Sequence, residues 1–488
     1  MTFSLFFTMP LVAVVGMVSG CSDSISASAP LLDPSEQWPG GKTTVELRKP
    51  SFIEPAANLS RERQQEFYIG FSFFRDPWVI APSATTDRDG LGPIFNARAC
   101  IVCHPKGGRG RPPANIDEPM LSMFLRLSIP GKNIHGGVMP EPIYGDQLQV
   151  RGISLKNNFG LARKNGVSEG DGVIGEAHSY VEYEAINGKY ADGKPWVLHK
   201  PIYKVRDAAW GEMHPDTLFS PRMAPQLAGL GLLEAINEQD ILAHADPEDK
   251  NGDGISGRAN RVWDVEKSKT VLGRFGLKAS QPNLLQQTAG AFRGDIGISN
   301  DLFKAQPCSD QQTVCLKARD GIDPNYGVEI KRDLLNATTF FGRMLAIPKR
   351  RHWNDKQVLA GREFFYQANC HACHVPSYTT ANDALEPELA GQKIWPYSDL
   401  LLHDMGEGLA DGRPDFEASG NEWRTAPLWG IGLSEKISGE AFYLHDGRAR
   451  SISEAILWHG GEAQVARDIF VAMDNKKRQA LLAFVKSL

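Results

Sequence analysis

Two short clusters carry residue types and spacing that can do chemistry. Cys100-Ile101-Val102-Cys103-His104 and Cys370-His371-Ala372-Cys373-His374 each set two thiols three positions apart, with a histidine directly after the second. This spacing suits covalent haem attachment. Two thiols add across the two vinyl groups of one haem, and the next histidine reaches the iron from the proximal side. Thiol–disulfide exchange and zinc binding also use Cys-x-x-Cys pairs. Exchange motifs need no trailing histidine, and both copies here have one; no further histidine stands at finger spacing for a zinc site. The expected cofactors are therefore two covalently bound haem c groups, attached through Cys100, Cys103, Cys370 and Cys373, with His104 and His374 on the irons.

The elements that position these clusters are partly legible. Phe95 and Phe365 both lie five residues before the first cysteine of their cluster. The second cluster follows an amphipathic stretch, with Val358, Leu359, Phe364 and Phe365 at helical spacing. The first follows a shorter segment holding Gly92 and Pro93. The chain ends in a predicted helix from Asp474, a candidate cap, with Leu481, Leu482, Phe484, Val485 and Leu488 partly on one face.

The 488 residues allow about three domains of ordinary size. Hydrophobic residues make up 42% and charged residues 23%, which argues against disorder and against a multi-span membrane protein. The formal charge of −5 gives no sign of nucleic-acid binding. Of the seven cysteines, four are assigned to haem. Cys308 and Cys315 read as a local disulfide in an oxidising compartment, or as two unpaired cysteines in a loop.

The seventh is Cys21. Residues 1–20 hold no charged side chain and resemble a secretory signal with too short an apolar run to span a membrane. The run ends at Val18-Ser19-Gly20-Cys21, which resembles a bacterial lipobox. The expectation is a lipoprotein signal peptide over 1–20 and a mature chain held to the membrane by a lipid at Cys21. Ser22 in place of Asp favours the outer membrane, on its periplasmic side. Residues 21–60, rich in Ser, Ala and Pro near their start, read as a tether.

An internal duplication is visible downstream. Arg222-Met223-Ala224-Pro225 through Leu232 resembles Arg424-Thr425-Ala426-Pro427 through Leu433, one copy after each haem cluster. The arginines are candidate partners of haem propionates, or ordinary salt-bridge residues. Cys103 and Arg222 are 119 positions apart, Cys373 and Arg424 only 51, so the first half carries an insertion at about 130–260. Tyr180-Val181-Glu182-Tyr183-Glu184 alternates before Asn187-Gly188, a hairpin signal. Asp249-Lys250-Asn251-Gly252-Asp253-Gly254 matches the first half of a calcium loop, with Asp249, Asn251 and Asp253 as candidate ligands. Position 12 is Asn260 rather than Glu, and a solvated turn reads equally well.

Four segments carry a resemblance to a known family: CIVCHPKGGRGRPP from Cys100, LLLHDMGEGLADGRPDF from Leu400, EWRTAPLWGIGL from Glu422 and the final LHDGRARSISEAILWHGGEA. Over nearly the whole mature chain the sequence resembles the di-haem oxidoreductase family, also labelled thiol oxidoreductase, which is related to the bacterial di-haem cytochrome c peroxidases. The resemblance implies a mainly α fold of two tandem cytochrome c-like haem domains, 61–335 with the partly β insertion and 336–488. It also implies that His459, which stands where the peroxidases carry a distal methionine, joins His374 on the C-terminal iron. Imidazole in place of thioether lowers the potential. His403 and His445 are weaker alternatives. It places the distal pocket of the N-terminal haem around Phe275 to Asp295, with Phe292, Arg293 and Asp295 as candidate catalytic residues and Gln286 and Gln287 as hydrogen-bond donors. His135 and Met139 are the sixth-ligand candidates nearest in sequence.

The implied activity follows from coordination. A six-coordinate C-terminal haem exchanges electrons with a small periplasmic donor, a cytochrome c or cupredoxin. An open N-terminal haem binds peroxide or dioxygen and reduces it. Trp429 or Trp458 would assist transfer, or serve as core. Two alternatives stay open: an electron-transfer-only cytochrome, with His135, His178 or Met139 as a hidden ligand, and haem-dependent oxidation or oxygenation of an organic substrate. A dithiol activity ranks low, because haem attachment consumes both Cys-x-x-Cys pairs.

Overall fold

The computed structural model describes residues 28–154, 160–164, 166–169 and 172–488. The stretch read as a signal peptide, and Cys21, lie outside them. No helix among the described residues is long and apolar enough to cross a membrane.

The stretch read as a tether is packed for most of its described length. Glu36 is fully buried and pairs with Arg350 and Arg362, while Tyr397 Oη donates to it at 3.0 Å. Phe52 is also buried, in a core that joins it to Phe341, Leu400 and Trp429.

Helix α1, Arg61–Arg75, starts where Ser60 Oγ accepts the Arg63 amide, and it buries Phe67, Gly70, Phe73 and Phe74. The first cluster forms a single turn, α2, Cys100–Cys103. A sheet follows in which β1, Met123–Lys132, lies between β2, Val138–Met139, and the later β5. Met123, Leu125 and Leu127 of β1 alternate into the core. The insertion's main feature is a hairpin of β3, His178–Lys189, and β4, Pro195–Arg206. Asn187-Gly188 is not its turn, as the sequence reading had it. Gly188 pairs with Trp196, and a Cβ there would meet the indole, so the glycine makes room for the ring. The chain turns instead over 190–194, where the Tyr190 amide bonds the Lys194 carbonyl. Strand β5, Leu218–Met223, returns antiparallel to β1 and carries Arg222 opposite Phe124. A short hairpin of β6, Arg261–Asp264, and β7, Lys269–Leu272, precedes α3, Leu284–Ala291.

Helix α4, Arg332–Arg343, crosses α1 so closely that a Cβ on Gly70 would lie 2.0 Å from the Ala337 carbonyl oxygen. The same device recurs in the second half. Helix α5, Lys356–Gln367, leads into the second cluster. Strands β8, Leu402–Asp404, and β9, Glu422–Arg424, pair with Leu402 opposite Arg424. Helices α6, Ile452–Leu457, α7, Gln464–Ala472, and α8, Asn475–Ser487, close the chain, and Asp474 caps the last. Where α5 crosses α8, a Cβ on Gly361 would lie 1.8 Å from the Ala480 carbonyl oxygen. Phe67 packs on Phe341 in the first pair of helices, Phe365 on Phe484 in the second, at 4.9 and 5.1 Å between ring centres.

The mainly α expectation is overturned. Helix accounts for 28% and strand for 20%, the strand lying in many small sheets. The insertion supplies long alternating strands, and elsewhere loops and two-stranded ribbons run between short helices.

Candidate active site

A cavity of about 980 Å³ is lined by residues of both clusters, including Cys103, His104, Cys370, Cys373 and His374. His104 Nδ1–H donates to the Pro225 carbonyl at 2.8 Å, and His374 Nδ1–H to that of Tyr397 at 2.9 Å. His459, at the end of α6, donates Nδ1–H to the Ala455 carbonyl at 2.7 Å. Each bond fixes the tautomer that leaves Nε2 as a lone-pair donor, the form a metal needs. Burial pulls His104 down to about 4, against its backbone hydrogen bonds. Burial also pulls His374 down to about 4, and the charge of His459 adds to the shift. Both His374 and His459 line the cavity. Phe74 lies against the His104 ring as Phe365 lies against His374, both at 6.4 Å. Phe95, the sequence counterpart of Phe365, is buried in the separate cluster around Trp78 and Phe292.

The four cluster cysteines are free thiols, while Cys308 and Cys315 form a disulfide. Burial, with the charge of Asp295 second, pushes Cys100 up to about 12; burial pushes Cys370 up to about 12 as well. Exchange dithiols and thiolate metal sites require the opposite shift.

The cavity also carries three guanidinium groups. Arg424 is half-buried and its hydrogen bonds go to carbonyls, of Gly276 at 3.0 Å and Thr425 at 2.9 Å. Arg109 likewise bonds the carbonyls of Phe442 and Leu444. Arg222 donates Nε–H to Ser220 Oγ at 2.7 Å, but its buried Nη2 has no hydrogen-bond partner, with Asp415 and Asp411 at 3.7 and 3.8 Å. Burial draws all three guanidinium groups down to about 10. Arg413 Nε is orphaned nearby. Buried donors without acceptors are costly unless an anion completes them. Neutral imidazoles with free Nε2, free thiols and these guanidinium groups together fit two haems with their propionates.

Of the three predicted catalytic residues, only Asp295 lines the cavity. Phe292 and Arg293 do not. Phe292 packs edge-on against Trp78 in the core, and Arg293 donates to the Ala305 carbonyl at 3.0 Å and approaches Asp146. The reason is local: the Gly297 amide bonds the Phe292 carbonyl five residues back, a wide turn that splits the two faces. Asp295 Oδ1 accepts from Gln147 Nε2 at 2.8 Å, and burial raises its carboxyl. Gln286 and Gln287 also line the cavity; Gln286 is engaged with Val265, Trp263 and Gln281.

His135 lines the cavity from the turn after β1, exposed and stacked on Trp263 at 4.1 Å. Met139 does not line it, and His178 bonds the Ala162 carbonyl elsewhere. His403 has both ring nitrogens occupied, by Asp399 Oδ2 and Glu462 Oε2 at 2.7 Å each, so it has no lone pair for a metal. His445 stacks on Trp423 at 3.7 Å, with a buried, unpartnered Nε2. Trp429 lines the cavity and Trp458 does not. Trp423, under the cations of Lys278 and Arg222, escaped the sequence reading, although it lies one residue before Arg424 in a quoted segment.

The 249–254 loop is exposed, and its oxygens serve its own turns: Asp249 accepts the Gly254 amide, and Asp253 accepts those of Ile255 and the Asn251 side chain. Asn260 is buried and donates to the Lys278 and Asp415 carbonyls. No group of three or more His, Cys, Asp or Glu placed to hold a metal ion occurs among the described residues.

Comparison with known proteins agrees with the cavity's chemistry. The model of the family described as "Di-haem oxidoreductase, putative peroxidase" matches residues 36–488. No curated protein matches the chain. Among solved structures, a hydrazine synthase from Kuenenia stuttgartiensis, pressurised with xenon, is 19% identical over 38% of this chain and 63% of its own, at a TM-score of 0.23. A likeness that slight does not bear on the fold.

Proposed function

The chain belongs to the di-haem oxidoreductase family, and from that premise we propose a periplasm-facing enzyme with two covalently attached haem c groups, which takes electrons at the C-terminal haem and reduces peroxide at the N-terminal one. The observation that carries this reading is geometric: His374 and His459 both line the cavity, each with Nδ1 held by a backbone carbonyl and Nε2 left free.

Cys100 and Cys103 would attach one haem and Cys370 and Cys373 the other. His104, His374 and His459 would hold iron through Nε2. Arg109, Arg222 and Arg424 would receive propionates. Bound haem supplies electron exchange and the peroxide bond chemistry. Reduction of hydrogen peroxide to two waters takes two electrons and two protons. Asp295 faces the N-terminal side of the cavity with Oδ1 held by Gln147, which leaves Oδ2 to carry and release a proton. The electron source is a small periplasmic cytochrome c or cupredoxin. A lipid on Cys21 would keep the enzyme at the membrane, and replacing Cys21 should release it to the soluble fraction.

The test is electron paramagnetic resonance of the purified holoprotein, as isolated and after one-electron reduction, followed by peroxide turnover. One high-spin and one low-spin ferric signal, or a high-spin signal that appears on half-reduction, supports the reading. Two low-spin signals in both states overturn it and leave an electron carrier.

A further inference from the structure

His403 is 2% exposed and lies between two carboxylates. Its Nε2 meets Asp399 Oδ2 and its Nδ1 meets Glu462 Oε2, both at 2.7 Å. A neutral imidazole has one N–H, whereas two carboxylate acceptors call for two. Both carboxylates are in turn held as acceptors: Asp399 Oδ1 receives the Leu401 amide at 3.0 Å, and Glu462 Oε1 receives Ser256 Oγ–H at 2.6 Å. The unit is thus two carboxylates and one imidazolium, with a net charge of −1 and little water to screen it.

This charge adjoins the second Cys-x-x-Cys-His cluster. His403 Nδ1 is 3.5 Å from Cys373 Sγ, and the Asp399 amide bonds the Cys373 carbonyl at 2.9 Å. The first cluster differs. There Cys103 Sγ faces a backbone carbonyl, that of Leu121, at 3.3 Å. The duplication has therefore diverged at the sulfur contact.

We propose that His403, clamped between Asp399 and Glu462, is a positioning residue whose buried anionic unit sets the reduction potential of the C-terminal haem. The inference rests on haem attachment at Cys370 and Cys373. A net negative unit beside a haem favours the more positive, oxidised iron and lowers the potential. Ser256 tunes it, because its hydroxyl withdraws charge from Glu462.

The test is a spectroelectrochemical titration of both haems in the wild-type holoprotein and in Glu462→Gln, Asp399→Asn and Ser256→Ala. Each of the first two removes one negative charge and should shift the C-terminal haem upward, with the N-terminal haem moving less. Ser256→Ala leaves Glu462 ionised with one donor fewer and should shift the C-terminal haem downward. General loosening of the site would not give opposite signs. The proposal is overturned if the C-terminal potential stays within error in all folded variants, if both haems move equally, or if Ser256→Ala and Glu462→Gln shift it the same way. Should a carboxylate variant fail to fold, Ser256→Ala alone decides, since a partly exposed hydroxyl is removed and no charge is lost. The low-spin signal of the wild type is recorded first. Its absence would overturn bis-histidine ligation, a separate result from an unmoved potential.

Discussion

Asp295 and Glu176 are carboxyls that burial raises, one half-buried and one fully buried, and each has a different consequence. Asp295 sits in the cavity and is raised by burial. Asp295→Asn should lower peroxide turnover by about 10²–10⁴-fold and leave the low-spin signal of the C-terminal haem in place. Steady-state kinetics with the spectrum of the same sample checks both. Glu176 lies outside the cavity, fully buried, with Gln149 N and Gln312 Nε2 donating to it at 2.6 and 2.5 Å. Burial dominates and raises it from 4.5 to about 8. A carboxyl raised on folding favours the native state while it is protonated. Its contribution is whole below about pH 4.5 and is lost as pH rises through about 8. Denaturant unfolding at pH 5 and pH 8 should show this loss in the wild type and a flatter profile in Glu176→Gln. At this scale the two clusters were legible as candidates from their spacing, and the structure brings Cys103, His104, Cys370, Cys373 and His374 to one cavity. Phe292 and Arg293 were not, because a single wide turn decides which side chain of 292–296 meets the cavity.

Hairpin β3–β4 starts in the first half and ends on the second. At its tip, Arg478 stacks over Tyr190 at 3.9 Å and pairs with Asp192, Tyr190 Oη meets Ser453 Oγ at 2.8 Å, and the Ala191 amide bonds the Val471 carbonyl. Trp196 and Leu198 join the core of the C-terminal half. Tyr190→Ala removes a cation–π contact, an edge-on contact with Phe470 and a hydrogen bond, and should cost about 2 kcal/mol. Thermal unfolding of the holoprotein measures it. The alternation of β3 was readable. The position of its turn was not, since Asn187-Gly188 has the composition of a turn while Trp196 needs the space that Gly188 leaves. The mainly α expectation failed for the same kind of reason: it came from the family resemblance, carried by short segments that say little about the connecting chain.

At the scale of the whole molecule the two halves share interior. The largest core unites Phe52, Phe67 and Phe74 with Leu400, Trp429 and Leu433, and Glu36 pairs with both Arg350 and Arg362 from far along the chain. Residues 336–488 produced alone would bare that core and leave two buried arginines unpaired, a loss of several kcal/mol. The fragment should show no cooperative melting transition, while the full chain melts as one unit; calorimetry with limited proteolysis checks this. The duplication itself was written in the sequence at Arg222 and Arg424, and the structure extends it to features without a motif. Gly231 and Gly432 press on the ends of α4 and α8, where a Cβ would come within 2.3 Å of the Arg343 carbonyl oxygen and 2.0 Å of that of Lys486. The sequence by itself determined the family, and with it haem as the cofactor, because the two Cys-x-x-Cys-His clusters and the long segments around them leave few alternatives. Only the tertiary structure decided that Asp295 alone of its trio reaches the cavity, that His403 is closed to a metal and clamped between carboxylates, and that Arg109, Arg222 and Arg424 line one cavity. Those outcomes depend on groups brought together across as many as several hundred residues, which no local pattern records.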